Sequence, residues 1–205
     1  MMKNYICFNG KKIELTSEQV AEMKKSLGIS EVKLYDISVG ETFKIGEHEF
    51  IVLEHMEEGT AVIRKNLLFE DKTFGKNNNY MNSYVDGLCN DYGAQIGEVI
   101  GYGNIIEHTV DLTSDDGLKD YGSIKRKMSL LTCNQYRKYV EILDKHKIDA
   151  WWWLSTAYST PKHNDSSWVK CVSPFGDFCS NFYNDVSGVR PFCILKSDIF
   201  VSKGE

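Results

Sequence analysis

The sequence predicts an α+β fold in which two main helices are embedded among many short strands. Helical and strand patterns do not alternate along the chain, and there is no glycine-rich phosphate loop, so a parallel βαβ sheet is not expected. Hydrophobic residues make up 42% and charged residues 26% of the 205 positions, as in globular proteins. This length predicts one domain, residues 31–205, preceded by an appendage at residues 1–30.

The appendage is predicted to be a β-hairpin followed by a helix. Two short strand-like segments, residues 5–8 and 11–15, flank Asn9-Gly10, and this dipeptide strongly favours a two-residue hairpin turn. Thr16 and Gln19 form a capping box, in which each side chain bonds the backbone N–H of the other residue. The apolar stripe of the helix and the glycine that ends it are supplied by Val20, Met23, Leu27 and Gly28.

Residues 34–68 predict a meander of short strands. Polar or glycine-containing segments at 46–48 and 57–59 favour turns, because their residues disrupt regular structure or bond to their own backbone. The apolar segments between these turns are rich in β-branched and aromatic residues, which favour strands. The predicted strands contain Phe43 and Ile45, residues 50–53 and residues 61–63.

The first of the two main helices is predicted to begin after Ser83. Ser83 and Asp86 can cap its first turn, and apolar residues recur at helical spacing as far as Val99. Gly101 follows as a stop signal, and residues 105–112 then read as one strand.

The second main helix is predicted to begin at another capping box. Thr132 and Gln135 supply the box, and the basic residues at 145–147 suit the negative pole of the helix dipole. The buried stripe of this helix is predicted at Tyr136, Tyr139, Val140 and Leu143. Beyond residue 147 the pattern favours only strands and loops.

The last quarter of the chain differs in composition from the rest. Residues 151–205 contain all four tryptophans, all three prolines and equal numbers of cationic and anionic side chains, so the net charge of −5 lies in residues 1–150. An acidic chain has no overall attraction for nucleic acid or an anionic membrane surface, and neither partner is expected. Because the N-terminal sequence lacks the apolar run of a signal peptide, a cytoplasmic protein is predicted.

Trp151-Trp152-Trp153-Leu154 predicts a strand that is covered on both faces. Alternation sends Trp151 and Trp153 to one face and the other two residues to the opposite face. Arg190 lies between apolar residues, where an unpaired charge is costly, so we expect its guanidinium to stack on a tryptophan or to pair with a carboxylate. Trp152, Trp153 and Arg190 are therefore predicted to be structural framework.

Three other groups of residues have both a chemical and a structural interpretation. The acidic stretch from Asp111 to Asp120 lacks EF-hand spacing, and polar turns explain it more simply than a cation site does. The basic run 123–127 is interpreted as a solvated turn, with a contact to phosphate or an acidic partner as the alternative. The six cysteines and five histidines show no zinc spacing, so buried thiols are expected. No metal, cofactor or catalytic residue is predicted.

A family resemblance rests on three segments of the chain, Trp152-Trp153-Leu154, Gly188-Val189-Arg190-Pro191 and the strand 192–199. Together they resemble a domain family of unknown function that is common in Gram-positive gut bacteria and their phages. The resemblance covers roughly residues 34–200 and leaves residues 1–30 outside. That family is similar to the C-type-lectin-like fold of formylglycine-generating (sulfatase-modifying) enzymes and of variable proteins of diversity-generating retroelements. It implies a mixed, mostly antiparallel sheet with two main helices and a loop-rich C-terminal region.

The resemblance implies a binding function rather than catalysis. Formylglycine-generating enzymes use a close cysteine pair for copper, whereas Cys171 and Cys179 have a different spacing, and the calcium-dependent sugar-binding motifs of lectins do not occur. A non-enzymatic recognition domain is therefore expected, although a fold alone does not assign a function. Its partner is expected to be an unidentified protein or small molecule.

The ligand surface is predicted on loops 155–167 and 174–187, because exposed loops on a rigid scaffold commonly carry binding residues. In the retroelement-diversified proteins, variable positions lie just before the segment that corresponds to residues 188–191. Residues 177–187 consist wholly of types that adenine mutagenesis yields, and an ordinary turn-rich loop has the same bias. The predicted ligand-binding residues are Tyr158, His163, Asn164, Trp168, Phe178, Asn181, Phe182, Tyr183 and Asn184.

Two further functions remain as alternatives. A phage or mobile-element anti-defence protein, which blocks a host protein or sequesters a small nucleotide, is compatible with a cytoplasmic chain whose first 150 residues are acidic. Such a protein would act in the host cytoplasm, with the virion as a second possible location. A sulfatase-modifying-like enzyme would instead bind copper through Cys171 and Cys179.

Overall fold

The structure is a computed structural model that describes residues 4–8, 11–26 and 31–204. It is α+β with mostly antiparallel sheets, as predicted. The described residues contain three α-helices, α1 (Ser17–Ser26), α2 (Tyr84–Ile100) and α3 (Cys133–Leu143). In chain order, the strands are β1 (Asn4–Phe8), β2 (Lys11–Leu15), β3 (Glu31–Lys33), β4 (Thr42–Ile45), β5 (His48–His55), β6 (Thr60–Arg64), β7 (Phe69–Thr73), β8 (Ile105–Ile106), β9 (His108–Asp111), β10 (Ser123–Arg126), β11 (Met128–Ser129), β12 (Trp152–Ala157), β13 (Trp168–Val172), β14 (Phe178–Phe182), β15 (Val186–Val189), β16 (Phe192–Leu195) and β17 (Phe200–Lys203).

The N-terminal elements are the predicted hairpin and helix. β1 and β2 pair antiparallel as a separate two-stranded sheet, and α1 follows them. The first capping box is confirmed, because the Thr16 N–H donates to Gln19 Oε1 at 2.9 Å and the Gln19 N–H donates to Thr16 Oγ1 at 3.2 Å. The predicted turn at Asn9-Gly10, and Leu27 and Gly28 at the helix end, lie outside the described residues.

Two larger sheets form the body of the protein. The first has eight antiparallel strands in the order β11-β16-β6-β5-β4-β17-β3, with β8 beside β16, and it contains the predicted meander as β4, β5 and β6. The second has five strands in the order β14-β13-β12-β15-β7, in which β12 and β15 are parallel. Residues 105–112 form two strands rather than the predicted single one, because β8 joins the eight-stranded sheet whereas β9 pairs with β10.

Both main helices begin where the sequence predicts. The Asp86 N–H donates to Ser83 Oγ at 3.2 Å at the start of α2. At α3, the Thr132 N–H donates to Gln135 Oε1 at 2.9 Å and the Gln135 N–H donates to Thr132 Oγ1 at 3.1 Å, which confirms the second capping box. In the predicted stripe of α3, three members are buried and Val140 is partly exposed.

The basic run 123–127 is not a solvated turn, because most of it lies in β10 and two of its three cations, Arg126 and Lys127, have partners within the protein. The Arg126 guanidinium donates two bonds to the buried Asp86 carboxylate, at 2.8 and 2.7 Å. Lys127 Nζ donates to the Tyr102 carbonyl at 2.7 Å. These hydrogen bonds therefore connect β10 and the segment after it to both ends of α2.

The tryptophan strand separates two hydrophobic clusters. On one face of β12, the Trp153 ring lies 5.6 Å from that of Phe74, and Trp153 Nε1 donates to the Lys72 carbonyl at 2.7 Å. On the other face, Trp152 lies 5.7 Å from Tyr136 of α3. The prediction that both faces are covered is confirmed for the strand itself. Trp151 precedes the strand and is 40% exposed.

Arg190 is a buried cation whose guanidinium carbon lies 5.3 Å from the centroid of the Trp152 ring. Its Nε donates to the Arg64 carbonyl at 3.0 Å, and its Nη2 donates to the carbonyls of Lys65 at 3.0 Å and His146 at 3.3 Å. Burial lowers the pKa of Arg190 to about 10, so the side chain stays charged at neutral pH. The predicted stacking on a tryptophan is confirmed, and the polar partners found are backbone carbonyls rather than a carboxylate.

The C-terminal region contains less loop than the sequence predicts. The predicted loop 155–167 begins with three buried residues of β12, and Ser159 and Thr160 are buried as well. The predicted loop 174–187 contains the whole of β14. Pro174, Gly176 and Asn181 in this segment disfavour strands, but the hydrogen bonds that β13 offers along its edge outweigh that local preference.

Candidate aromatic recognition surface

The clearest exposed feature of the five-stranded sheet is a cross-strand pair of aromatic rings. Trp168 of β13 and Phe182 of β14 are directly opposite in register, and their ring centroids lie 5.2 Å apart in an edge-to-face arrangement. Trp168 is 43% exposed and Phe182 is partly exposed. Alternation along β13 places Val169 and Cys171 in the main hydrophobic cluster, so Trp168 points to the opposite face, where it lies at the exposed end of the strand beyond the buried Lys170 and Val172.

Tyr158 adds a third ring to this surface. It follows β12, and its backbone N–H donates to the Trp168 carbonyl at 2.9 Å, which fixes the two residues side by side. Its side chain is 49% exposed, and the Lys170 ammonium lies 5.8 Å from its ring centroid. We call Tyr158, Trp168 and Phe182 the aromatic patch.

A polar cavity lies close to the aromatic patch. It has a volume of about 200 Å³ and is lined by the loop 111–117, the first turn of α3 and Thr156, and we call it the polar basin. Asp115 on its wall pairs with Arg137 of α3 at 3.0 Å and with Lys170 of β13 at 3.3 Å. Lys170 is buried and connects the basin to the patch, because its ammonium lies near both Asp115 and the Tyr158 ring.

Backbone N–H groups at the start of α3, beside the basin, already donate to acceptors within the protein. The Cys133 N–H donates to Thr156 Oγ1 at 2.9 Å, and the Gln135 N–H is bonded within the capping box. Because Asp115 balances a nearby cation and Asp111 also lines the basin, this helix end is not an electropositive anion site. The basin therefore suits uncharged polar groups better than phosphate.

A hydrogen-bonded network holds the loop that carries Asp115 against the loop after β12. Asp116 Oδ1 accepts from Ser114 Oγ at 2.5 Å, and Asp116 Oδ2 accepts from Ser159 Oγ at 2.6 Å and lies 3.0 Å from His163 Nδ1. The hydroxyl donors, Ser114 first, hold the pKa of Asp116 well below its usual range. Serine and histidine both contact the same carboxylate oxygen, so this is not the arrangement of a nucleophile and its base.

The acidic stretch forms polar turns. Asp111 Oδ1 accepts from the backbone N–H of Thr113 at 2.9 Å and from its hydroxyl at 2.6 Å, as in an Asx turn. Asp120 accepts from Thr160 at 2.8 Å. Within residues 4–8, 11–26 and 31–204, no three His, Cys, Asp or Glu side chains are grouped as metal ligands would be.

The structure separates the nine predicted ligand-binding residues into two groups. Tyr158, Trp168 and Phe182 form the aromatic patch, and Asn184 is exposed in the turn that follows β14. His163 contacts Asp116 through Nδ1, and Asn164 follows it with a left-handed backbone at a φ of 57°. Both residues are exposed and lie at the edge of the hydrogen-bonded network.

The other three predicted residues have structural contacts. Phe178 lies at the far end of β14, where its ring centroid is 5.0 Å from that of Tyr136, so it supports α3. Asn181 points to the core side and donates to Ser187 Oγ at 3.2 Å. Tyr183 packs against the main hydrophobic cluster, although its ring also lies 5.4 Å from that of Phe182.

Asp115, Arg137 and Lys170 were not predicted to belong to the ligand-binding site. The alternation that places Trp168 outside also places Lys170 on the same face two residues later, so Lys170 had a usable signal. No sequence pattern indicated that Arg137 contacts Asp115, because the two residues are 22 positions apart and meet only through the packing of α3 against the sheet.

The structure also brings Cys171 and Cys179 together. They are directly opposite each other in the β13–β14 register, although their separation in the sequence predicted no close pair. Both are free thiols, Cys171 fully buried and Cys179 partly exposed. Burial raises the pKa of Cys171 to about 12, and the neighbouring Cys179 acts in the same direction.

A larger cavity, of about 490 Å³, lies on the eight-stranded sheet between β3, β4, β17 and the end of α2. None of the predicted site residues lines it, whereas Lys170 connects the polar basin directly to the aromatic patch. The aromatic patch with the polar basin is therefore the stronger candidate site.

Comparison with known proteins identifies no relative: no family model, curated protein or solved structure matches the chain. Of the described helices, none is long and apolar enough to cross a membrane.

Proposed function

We propose that this protein is a non-enzymatic recognition domain of C-type-lectin-like fold that binds its ligand on the aromatic patch and the polar basin. The observation that carries this proposal is the exposed Trp168–Phe182 pair on a rigid sheet, with Tyr158 fixed beside it. Exposed tryptophan and tyrosine side chains supply a large contact area and lose little conformational freedom on binding.

The surroundings of the patch indicate the chemistry of the ligand. Arg137 and Lys170 both contact the Asp115 carboxylate, and Asp111 also lines the basin, so two carboxylates offset the two cations next to the patch. A ligand with uncharged polar groups beside a flat apolar face fits this arrangement, and neutral oligosaccharides and extended peptides both have that character. A small nucleotide, the ligand of the anti-defence alternative, would place its phosphate where no unpaired cation faces it in the basin described here.

The proposal is tested by binding to arrays of neutral oligosaccharides and of peptides. The double variant Trp168→Ala, Phe182→Ala is expected to lose at least about tenfold in affinity for any probe that the natural sequence binds, because two exposed aromatic contacts are removed. Phe175→Ala is the matched control, since Phe175 is 80% exposed but lies outside the patch. Urea unfolding verifies that both variants remain folded.

Thermal-shift measurements with nucleoside mono- and triphosphates complete the test. No stabilisation is expected, whereas a sequestering protein at a hundredfold excess over its Kd would gain about 2.7 kcal/mol. Equal array binding by the double variant, or a nucleotide shift that the double variant retains, would contradict a binding site at the patch. Tyr183 is left unchanged in these variants because it packs against the core.

A further inference from the structure

Cys171 and Cys179 occupy positions from which they can be joined across two strands. In the β13–β14 ladder, the Ser173 N–H donates to the Asp177 carbonyl at 3.0 Å and the Tyr183 N–H donates to the Ser167 carbonyl at 2.8 Å. Hydrogen-bonded pairs recur at every second residue of an antiparallel ladder, so the two cysteines also form such a pair. Residues in these pairs have Cα atoms about 5.5 Å apart, which lies in the middle of the range that disulfides span.

We propose that Cys171 and Cys179 form a reversible, redox-sensitive disulfide that links β13 to β14. Side chains in a hydrogen-bonded pair lie farther apart than those in the alternate pairs, so closing the bond draws the two Cβ atoms together. A bond formed under such strain is more easily reduced than a structural disulfide. The pair is therefore suited to switching rather than to permanent cross-linking.

The oxidant would be a low-molecular-weight disulfide of the glutathione type. Partly exposed Cys179 attacks first, as its thiolate, forming a mixed disulfide and releasing one molecule of the small thiol. Cys171 then loses its proton to water and attacks the Cys179 sulfur, which forms the Cys171–Cys179 bond, breaks the mixed disulfide and releases the second small-thiol molecule, whose thiolate takes up a proton from water. The protein loses two electrons and the small disulfide gains two. Because Cys171 is fully buried, it is protected from reagents and reacts only with its neighbour.

The bond would act on the strand that carries Phe182, one of the three rings of the aromatic patch. β14 lies at one end of the five-stranded sheet and holds Phe182 three residues beyond Cys179, whereas β13 holds Trp168 three residues before Cys171. A link between the strands restrains the two rings relative to each other. The formation of the bond does not depend on what the patch binds.

The test equilibrates the full chain in glutathione buffers from fully reduced to fully oxidised, blocks the remaining thiols with N-ethylmaleimide and digests at aspartate. Cleavage before Asp165, Asp177 and Asp185 places the two cysteines in separate peptides, 165–176 and 177–184, and leaves Cys193 in a third. Mass spectrometry is expected to find the first two peptides linked in oxidising buffer and separate after dithiothreitol.

Three comparisons decide the outcome. Cys7→Ser, which removes an exposed cysteine, is expected to leave the link unchanged, whereas Cys179→Ser removes it. Oxidation in urea is expected to yield less of this link, because the register no longer holds the pair together. Complete alkylation of both cysteines in the most oxidising buffer, Cys179 present only as a glutathione adduct, or an equal yield in urea would overturn the proposal.

Discussion

At the scale of single residues, burial changes the chemistry of side chains that look ordinary in the sequence. His108 is buried, its Nε2 lies 2.9 Å from Ser129 Oγ, and its ring meets Phe192 edge-on at 5.2 Å. Burial lowers the pKa of His108 to about 4, and the Lys125 cation acts in the same direction. The imidazole is therefore neutral in the folded protein at neutral pH.

This shift predicts a pH dependence of stability. Below pH 6.5 the unfolded chain binds a proton at His108 that the folded protein does not bind until about pH 4, so the free energy of unfolding falls as the pH drops between these values. At pH 5 the loss is about 2 kcal/mol relative to pH 7.5. Urea unfolding at both pH values measures it. His108→Gln should show a correspondingly smaller loss, and the exposed-site control His163→Gln should retain it. An unchanged pH dependence in His108→Gln would refute the assignment.

At the scale of elements, tertiary packing gives different roles to the glycines of one helix, α2. Its glycines are indistinguishable by local propensity, yet a Cβ on Gly87 would meet no atom within 4 Å, whereas one on Gly97 would lie 2.6 Å from the Tyr102 ring and 3.3 Å from its Cα. Gly97 thus permits the chain that leaves α2 to turn back against the helix. Gly87 has no such role and only lowers helix stability.

Two alanine substitutions in α2 should therefore have opposite effects. Gly87→Ala is expected to raise the free energy of unfolding by about 0.5–1 kcal/mol, because alanine reduces the conformational freedom of the unfolded chain and favours the helix. Gly97→Ala is expected to lower it by about 1–3 kcal/mol through overpacking against Tyr102. Urea midpoints at constant m-value provide the measurement. Stabilisation by both substitutions would show that Tyr102 does not pack against α2 as described.

At the scale of the whole molecule, residues 1–30 and 31–205 are predicted to be separate units. In the structure, β1 and β2 pair with each other and join neither of the larger sheets, whereas β3 begins the body by pairing with β17. The aromatic patch and the polar basin are built entirely from residues after position 31.

Deletion of residues 1–30 tests this division. The remaining chain is expected to unfold at the same urea concentration as the full chain, within about 0.5 kcal/mol, because no pairing within the larger sheets is removed. The near-ultraviolet circular dichroism of the tryptophans, all of which lie after residue 150, should also be unchanged. Loss of the cooperative transition would show that the appendage is part of the same folding unit.

Local signals were sufficient for much of the fold and for part of the site. The helix starts at Ser83 and Thr132 were predictable because a cap needs only residues within one turn of each other. The burial of Trp152 and Trp153 on opposite faces followed from alternation alone. The exposed rings Tyr158 and Trp168 were predictable because each adjoins a polar stretch.

The sequence by itself determined the fold class, the capped helices, the tryptophan strand and the need of Arg190 for a stabilising partner, since each depends on residues close together in the chain. Only the tertiary structure decided that β14 is a strand, that Phe178 supports α3, and that Asp115 meets Arg137 and Lys170. It also placed Cys171 opposite Cys179. Strand register and helix packing bring together residues that are distant in the sequence, and no local pattern specifies which of the many possible pairings has the lowest free energy.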